Sequence, residues 1–558
     1  MYCAVQGLDR VGLMADSVAV LGGGVAGLSA AHELMERGIP VVVYERKSVL
    51  GGKARSIPVP GSGTMGRRDL PGEHGFRFFP GFYKHITDTM RRIPLAQGRS
   101  VFDNLTTATR ILLARSGKTE IISISGVPKN LEDLRVFLRQ IFIPLGVPLT
   151  EVDFFVSRLL VLATSCPERR LAEYENLKWW EFIDADGMSA IYQRYLGQGL
   201  TRSLVAMRAQ ESSTRTVGYI LLQLLYDAIS PDLVFDRLLN GPTSEVWLNP
   251  WTDYLRSKGV IFVNAQIEEC ELDAGRIRSA LATRNGAPFD IRADYYIAAM
   301  PVEVMAALVS PEMKAAAPSL ANLDRLQTRW MNGIQFYLRS ELPLAHGHAI
   351  YLDSPWALTS VSQKQFWTGV NLAGFGDGTV AGILSVDISE WEEPGVLYGR
   401  PAMQCSAEEI KEEVWTQLKQ HLNVGGSIQL VDADLVSWFL DPDIQFPNPT
   451  AAANLEPLMI NTAGSLQYRP EAQTEISNLF LASDYVRTYT DLATMEAANE
   501  AARRAVNCLL AATGSTAAPA KLWPLAEPEF LKPLQEIDRI RFALGQAHQG
   551  AWLPDRHP

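Results

Sequence analysis

Three glycines and one acid near the start of the chain have the spacing that phosphate and ribose recognition needs. Gly22, Gly24 and Gly27 form the pattern G-x-G-x-x-G, and Glu45 follows them. The first glycine of such a pattern makes a tight turn, the second lets the backbone approach a pyrophosphate, and the third lets a helix pack on a strand. The N-terminus of that helix attracts the pyrophosphate. An acid roughly 20 residues farther on bonds the ribose, and Glu45 is close to that position.

The residues around these glycines predict the strand–helix–strand unit that the motif requires. Residues 17–21 and 41–45 are short β-branched runs, which are typical of buried parallel strands, and residues 28–37 form a helical run. A glycine turn between strand and helix can exist without a ligand. Because all parts of the unit are present here, we favour a dinucleotide site.

A glycine doublet with two cations follows Glu45. Gly51 and Gly52 precede Lys53 and Arg55, beside the expected anion-binding turn. An NAD site has no need of this extension. In flavoproteins of the glutathione-reductase-like superfamily the same doublet runs along the FAD phosphates, so the stretch resembles an FAD site more than an NAD site.

An aromatic segment comes next, at residues 73–83. Its aromatic residues are Phe76, Phe78, Phe79, Phe82 and Tyr83. The segment suits neither a helix nor an alternating strand, and an aromatic turn in the core is one interpretation. Beside a flavin it would instead pass the isoalloxazine and wall an apolar pocket. Its ionisable residues other than Tyr83 are Glu73, His74 and Arg77.

Composition narrows the class of protein. The chain has 558 residues, of which 47% are hydrophobic and 20% charged, so about two globular domains are expected. A net charge of −11 argues against a nucleic-acid partner. Five scattered cysteines without C-x-x-C predict neither disulfides nor a zinc site and fit a reducing cytoplasm.

The pair in His346-Gly347-His348 is interpreted as a surface turn, and no metal site is predicted. Residues 1–16 lack the features of a signal peptide, and no apolar run is long enough to span a bilayer.

The rest of the chain alternates between helical and strand-rich regions. Residues 86–239 are predicted to be mainly helical, with helices at 131–145, 152–163, 191–207 and 217–229. Strands are predicted at 260–263, 267–272, 277–284, 293–299, 334–338, 383–388, 428–436 and 478–485. Further helices are predicted at 247–258, 407–422 and 494–510. After a small-residue linker, the tail from residue 522 carries an apolar face (Leu531, Leu534, Ile537, Ile540 among others) that predicts an amphipathic helix docked on the body.

From residue 17 to about residue 510 the chain resembles the FAD-dependent phytoene desaturase and hydroxysqualene dehydroxylase group of the amine-oxidase-like flavoproteins. Besides the glycine motif and the segment at 72–83, the resemblance rests on Asp484-Tyr485 and Thr494-Met495-Glu496. These are similar to the family's carboxy-terminal flavin motif, Gly-Asp followed by Ser-Met-Glu-Gly. Ser483, Thr494 and Ala497 depart from that pattern.

The resemblance implies an α/β fold with a Rossmann-like, glutathione-reductase-type FAD domain and an inserted mixed α+β substrate domain. The FAD domain would comprise residues 17–85, 240–305 and 471–512, the substrate domain 86–239 and 306–470, and the linker and C-terminal helix 513–558. FAD would bind non-covalently. The expected cofactor-binding residues are Gly22, Gly24, Gly27, Glu45, Gly51, Gly52, Lys53, Arg55, Gly75, Phe76, Val263, Asp484 and Met495.

The family's substrates are long polyprenyl hydrocarbons or their alcohols. The expected activity is therefore desaturation of a carotenoid precursor or dehydroxylation of a hydroxysqualene-like alcohol. Such chemistry needs hydride transfer and a proton lost or gained beside a cation-like centre, which aromatic walls stabilise. His74, Glu73 and Arg77 are the candidate catalytic residues, with His74 or Glu73 as the acid. The expected location is the cytoplasm. Residues 142–149 are interpreted either as a buried connection between helices or as a site of peripheral membrane contact, for which the tail is the other candidate.

Two alternatives stay open at this point. The first is a flavin oxidase of amines or amino acids, in which Arg77 would bind a substrate carboxylate. The second is a non-catalytic escort that binds prenyl lipids on the same fold, against which the intact glycine motif, Glu45 and the Asp484 motif all argue.

Overall fold

The computed structural model describes residues 17–122, 128–205, 207–228, 236–448 and 451–550. Its strands are β1 Val18–Leu21, β2 Val41–Glu45, β3 Ser56–Pro58, β4 Pro71–Glu73, β5 Leu105–Ala108, β6 Ile111–Arg115, β7 Lys118–Ile122, β8 Asp236–Leu239, β9 Ile261–Asn264, β10 Gln266–Asp273, β11 Arg276–Arg284, β12 Ala287–Ile291, β13 Tyr295–Ala298, β14 Thr328–Arg329, β15 Asn332–Leu338, β16 Ala349–Tyr351, β17 Thr359–Ser362, β18 Gly382–Ile388, β19 Leu435–Leu440, β20 Ile444–Asn448, β21 Ala451–Asn454, β22 Leu458–Met459 and β23 Leu479–Leu481.

The α-helices are α1 Val25–Glu36, α2 His85–Arg92, α3 Leu131–Phe142, α4 Leu149–Thr164, α5 Pro167–Arg169, α6 Trp179–Phe182, α7 Ala190–Tyr192, α8 Leu200–Val205, α9 Thr214–Ala228, α10 Asn249–Ser257, α11 Val302–Leu308, α12 Pro311–Ala316, α13 Ala407–Leu422, α14 Met495–Thr513 and α15 Lys532–Ala543. Among the described residues, none of these helices combines the length and the apolarity needed to cross a bilayer.

The first of the two main sheets is a parallel sheet of five strands in the order β23-β13-β1-β2-β9. Its central strand β1 is buried along its whole length and pairs with β2 on one side and β13 on the other. Helix α1 packs against α14 and against β2. The predicted strand–helix–strand unit and the Rossmann-like α/β class are therefore confirmed. All five strands lie within the segments 17–85, 240–305 and 471–512.

A small antiparallel sheet of β10, β11 and β12 interrupts the chain between β9 and β13. The alternating pattern predicts β10 and β11, but it misses β12. This strand lies at the edge of its sheet and contains Pro288. Proline is compatible with an edge position because no ladder hydrogen bond is lost there, yet in a sequence it lowers the strand signal.

The second main sheet has seven strands in the order β19-β15-β18-β17-β16-β6-β7. The prediction that residues 86–239 are mainly helical is wrong for β5, β6, β7 and β8. Strand β6 is a short apolar run, which periodicity cannot assign, and its pairing with β16, far away in the chain, makes it a strand. The strand predicted at 428–436 is displaced, because a 3₁₀ turn at Asp432–Asp434 delays β19 until Leu435.

Helices of the region between β7 and β8 pack on one another, with α4 in contact with both α3 and α9. The predicted helices at 131–145, 152–163 and 217–229 appear as α3, α4 and α9, with residue 229 outside the described part. The helix predicted at 191–207 includes residue 206, which also lies outside the described part of the chain. The tail helix α15 packs against α4 and α5, so it docks on the body as expected. An ion pair makes this contact, and Ile537 and Ile540 of the predicted apolar face do not. Buried Asp538 pairs with Arg169 at 3.0 Å, whereas Ile537 and Ile540 are exposed.

Candidate cofactor site and active site

A cavity of about 370 Å³ opens at the carboxyl ends of the five parallel strands and extends towards α9. Every strand contributes a residue at or just beyond its end, namely Gly22, Glu45, Ala265, Ala299 and Ser483. Ligands of open parallel sheets bind in this crevice, because there the chain crosses over between strands and leaves room. The sheet therefore places the cavity where a dinucleotide is expected.

The glycine motif is shaped by close backbone contacts. Gly22 has φ +114°, and a Cβ atom there would lie 2.5 Å from the carbonyl oxygen of Ala299. A Cβ atom on Gly27 would lie 1.9 Å from the carbonyl oxygen of Gly22, so α1 can approach β1 only at a glycine. Helix α1 begins after Gly24 with no side-chain cap and no acid in its first turn. Its N-terminus, which lines the cavity at Val25 and Ala26, fits a pyrophosphate.

Glu45 is held in a fixed orientation at the end of β2. The N–H of Gly23 donates to its Oε2 at 2.7 Å, and the N–H of Lys47 donates to its Oε1 at 2.8 Å. The carboxylate lines the cavity and has further lone pairs for ribose hydroxyl groups. Its position fits the ribose-binding role that the sequence predicts.

Replacing Glu45 by alanine is expected to weaken FAD binding by about 1.5–3 kcal/mol, because a charge-assisted hydrogen bond to ribose is lost. Titration of apoprotein with FAD measures the effect. Glu271→Ala removes an exposed carboxylate from β10, away from the cavity, and serves as the control. Wild-type affinity in Glu45→Ala would show that Glu45 is not the ribose ligand.

The glycine doublet lies against the glycine motif. Gly51 and Gly52 have φ +109° and +56°, and Gly51 donates through its N–H to the carbonyl of Gly23 at 2.8 Å. Gly51, Gly52 and Lys53 all line the cavity. Lys53 donates to the carbonyl of Pro457 and lies 3.7 Å from Glu303. The doublet thus lies beside the expected pyrophosphate.

Arg55 does not line the cavity, unlike Gly51, Gly52 and Lys53. It pairs with Glu456 at 3.0 Å and with Asp443, and Lys47 contacts the same two acids. Burial opposes ionisation of Glu456, but Arg55 and the other cations lower the pKa of Glu456 to about 2. Arg55 is therefore engaged by carboxylates, and its role in FAD binding stays a prediction.

His74 belongs to the same charged network. Its side chain lines the cavity, and its Nδ1 lies 2.5 Å from Oδ2 of Asp441. Ligand atoms of His74, Asp441 and Asp443 lie within 4.8 Å of one another. Arg55 and Lys47 already neutralise Asp443, so this cluster is an ion-pair network.

The structure separates the other two candidate catalytic residues. Glu73 does not line the large cavity; its Oε1 accepts from Ser56 Oγ at 2.8 Å and from the N–H of Thr243 at 2.9 Å. Burial raises its pKa. Arg77 does line the cavity, where it donates to the carbonyls of Phe76, at 3.1 Å, and of Lys53. Burial lowers the pKa of Arg77.

The aromatic segment forms part of the cavity wall, as expected beside a flavin. Gly75, Phe76, Phe78, Phe82 and Tyr83 line the cavity. Phe79 does not; it is fully buried and packs edge-to-face on Trp247, with ring centroids 5.5 Å apart.

The surface turn predicted at His346-Gly347-His348 is wrong for His348. This residue is buried between Phe76 and Phe78, with ring centroids 5.2 and 4.9 Å away. Its Nδ1 lies 2.8 Å from Oδ2 of Asp236. The sequence around His348 does not predict this contact, because Asp236 lies more than a hundred residues away in the chain.

The carboxy-terminal motif meets the amino-terminal motif at the cavity. Asp484 follows β23 and Met495 begins α14, and both line the cavity. Thr494 accepts from the N–H of Ala497 at 3.1 Å, so threonine keeps the N-cap in place of the family's serine. Val263, in contrast, pairs with Tyr44 inside the sheet and does not line the cavity; Ala265, Gln266 and Ile267 do.

Two further groups line the cavity that the sequence did not single out. Asp387 is a carboxylate near the end of the fully buried strand β18, an unusual position that could have drawn attention in the sequence. The apolar end is lined by Ile220, Leu224, Met331, Leu458, Met459 and Leu492. These come from elements far apart in the chain.

Comparisons with known proteins agree with this site. The model of the family "Flavin containing amine oxidoreductase" matches residues 25–510. The chain is similar to the 15-cis-phytoene desaturase of Synechococcus elongatus, with 23% identity over 86% of this chain and 93% of the relative. It is 22% identical to the zeta-carotene desaturase of a Synechocystis species, over 88% of this chain and 97% of the relative.

A solved structure of wild-type putrescine oxidase bound to putrescine shares the fold, with a TM-score of 0.58 and 13% identity over 89% of this chain and 99% of that one. The predictions of FAD as cofactor and of an FAD-dependent oxidoreductase are therefore confirmed, and nothing supports the non-catalytic escort. The chain belongs to the flavin-containing amine oxidoreductase family.

Proposed function

We propose that this FAD-dependent oxidoreductase acts on a long apolar isoprenoid, by desaturating a carotenoid precursor. Dehydroxylation of a hydroxysqualene-like alcohol is the related reaction that the same site would suit. The observation that carries the proposal is the continuity of the cavity. One end has the glycine motif and Glu45, and the other has aromatic and aliphatic side chains.

The two ends of the cavity fit different parts of the chemistry. FAD supplies a hydride acceptor when it is bound. The phenyl rings of Phe76, Phe78 and Phe82 exclude water beside the expected flavin position and stabilise positive charge that develops on a hydrocarbon. Ile220 and Leu224 lie one turn apart on α9 and extend this apolar wall. A long hydrocarbon can be held there by burial of apolar surface alone.

Both carotenoid relatives support the choice of substrate class, since their names specify phytoene and zeta-carotene. An apolar substrate of this kind resides in lipid, so we also propose peripheral contact with a membrane. The connection between α3 and α4 presents apolar residues to solvent, with Ile143 41% and Leu149 56% exposed. A second exposed apolar group lies on α15, at Ile537, Ile540 and Leu544.

Amine oxidation is the second candidate, and Asp387 is the observation that favours it. A buried carboxylate on the cavity wall could pair with a substrate ammonium group. Arg77 offers less to an amino-acid carboxylate, because backbone carbonyls already occupy two of its N–H groups.

Anaerobic flavin spectroscopy tests the proposal. Oxidised enzyme mixed with phytoene-like polyenes in detergent should bleach, whereas amines and amino acids should leave the flavin yellow. In a parallel arm, chemically reduced enzyme mixed with a hydroxysqualene-type alcohol tests dehydroxylation by reoxidation. Rapid bleaching by a small amine, with no response to any prenyl lipid in either arm, would overturn the isoprenoid proposal in favour of amine oxidation.

A further inference from the structure

One carboxylate on the cavity wall is built into the second main sheet. Asp387 lies on β18 and is directly paired with Gly333 of β15, so both residues face the same side of the sheet. The aromatic segment lies on that side. The N–H of Gly333 donates to the carbonyl of His74 at 2.7 Å, and a Cβ atom on Gly333 would lie 2.7 Å from Cα of Gly75. Two glycines thus bring the segment onto the sheet at Asp387.

Asp387 lines the cavity at this place. A Cβ atom on Gly75 would lie 2.6 Å from Oδ1 of Asp387, so any other residue at position 75 would collide with this oxygen. Among the described residues Oδ1 has no hydrogen-bond partner, although Asp387 is only 6% exposed. A buried acceptor without a partner is costly and marks a position where a ligand or a proton is handled.

The charged groups around Asp387 come from three directions. Arg77 approaches from the aromatic segment, His348 from the residue before β16, and Asp441 from the end of β19. Gly333 and Thr359, its partners in the sheet, carry no charge. Burial raises the pKa of Asp387 to about 7, against the opposing effects of Arg77, of the Phe76 N–H and of His348. At neutral pH the carboxyl group can therefore both accept and release a proton.

Desaturation needs such a group. One C–H bond of the substrate leaves as hydride to oxidised flavin, which takes up both electrons. The C–H bond on the adjacent carbon then breaks, its electron pair becomes the new π bond, and its proton must be received by a base. His74 is engaged by Asp441, and Glu73 lies outside the cavity. Asp387 is the carboxylate on the cavity wall next to Gly75 and Phe76.

We infer that the carboxylate of Asp387 is the catalytic base that receives the substrate proton. This inference rests on the proposed desaturation and assigns it a residue that the sequence did not suggest. The electrostatic effects of Arg77 and His348 favour the ionised form of this carboxylate, so both are positioning residues for the proton transfer. His348 is itself held by Asp236.

The test compares Asp387→Asn with wild type in single-turnover flavin reduction by a polyene, from pH 5 to pH 9. Wild-type rates should rise with pH through about 7 and then level, since the deprotonated carboxylate is the active form. Asp387→Asn should be slower by about a hundredfold or more and should lose this pH limb. Asp387→Glu should restore part of the rate and part of its dependence on pH. Asp353→Asn, which replaces the carboxylate paired with His421 of α13 away from the cavity, should retain rate and profile.

A second readout does not depend on activity. The infrared difference spectrum between wild type and Asp387→Asn, both FAD-loaded and without substrate, should contain a carboxylic-acid band that titrates near pH 7. The subtraction removes the band of Asp227, whose pKa burial raises to about 8. If Asp387→Asn keeps the wild-type rate and pH profile, or if the difference spectrum contains no such band, the inference is overturned. If wild type responds to no prenyl lipid at all, the proposed desaturation itself fails, and with it the role of Asp387 as its base.

Discussion

Replacing Gly27 by alanine is expected to abolish FAD binding. The added Cβ atom would lie 1.9 Å from the carbonyl oxygen of Gly22, and the neighbour is backbone that cannot rotate away. Either α1 moves off the sheet or the turn at Gly22 deforms, and both changes destroy the pyrophosphate position. We expect a cost of about 3 kcal/mol or more, which corresponds to a loss of roughly a hundredfold or more in affinity.

Flavin content per chain after purification and FAD titration of apoprotein measure this effect. Gly374→Ala is the matched control, because a Cβ atom there meets nothing within 4 Å and the backbone has no positive φ. That control should bind FAD as wild type does. A yellow, stable Gly27→Ala protein with wild-type affinity would contradict the assigned geometry of the glycine motif.

Filling the apolar end of the cavity is expected to separate substrate binding from cofactor binding. Ile220 lines the cavity from α9 and is buried, so Ile220→Trp should occupy space that a long substrate needs. We expect FAD content to stay unchanged, because the glycine motif and Glu45 are untouched. Reduction of the flavin by a polyene should fall by roughly 5- to 150-fold, since overpacking by large side chains typically costs about 1–3 kcal/mol.

A parallel titration with a short amine distinguishes the two candidate functions in this variant. Ile540→Trp, on the exposed face of α15, controls for the added indole. If Ile220→Trp reduces its flavin with polyene as fast as wild type does, the substrate does not use the α9 wall. Loss of FAD from this variant would instead show that the wall supports the cofactor.

The parts of the site that the sequence predicts well are local. Gly22, Gly24 and Gly27 act through turns and a helix start within a few residues of one another, so their spacing carries the geometry. Glu45 is likewise fixed by contacts with Gly23 and Lys47. Helix α13 shows the same principle, because its apolar stripe and its capping box, Ser406 with Glu409, define both its face and its start.

The parts that the sequence does not predict depend on contacts between distant segments. Arg55 has the sequence context of a phosphate ligand, but Asp443 and Glu456 reach it from nearly 400 residues away. His348 is buried by Phe76, Phe78 and Asp236, none of which is near it in the chain. Asp387 becomes part of the cavity only when Gly75 packs on Gly333. No periodicity or spacing rule reports such pairings.

We propose that this flavoprotein oxidises an apolar isoprenoid chain. The most direct measurement is anaerobic single turnover of the oxidised, FAD-loaded enzyme with a phytoene-like polyene, with the lipid extracted afterwards and its mass determined. We predict that the flavin is bleached and that the extracted polyene has lost two hydrogens for each flavin reduced. Bleaching by putrescine-like amines, with the polyene recovered unchanged and the flavin still yellow in its presence, would contradict the claim.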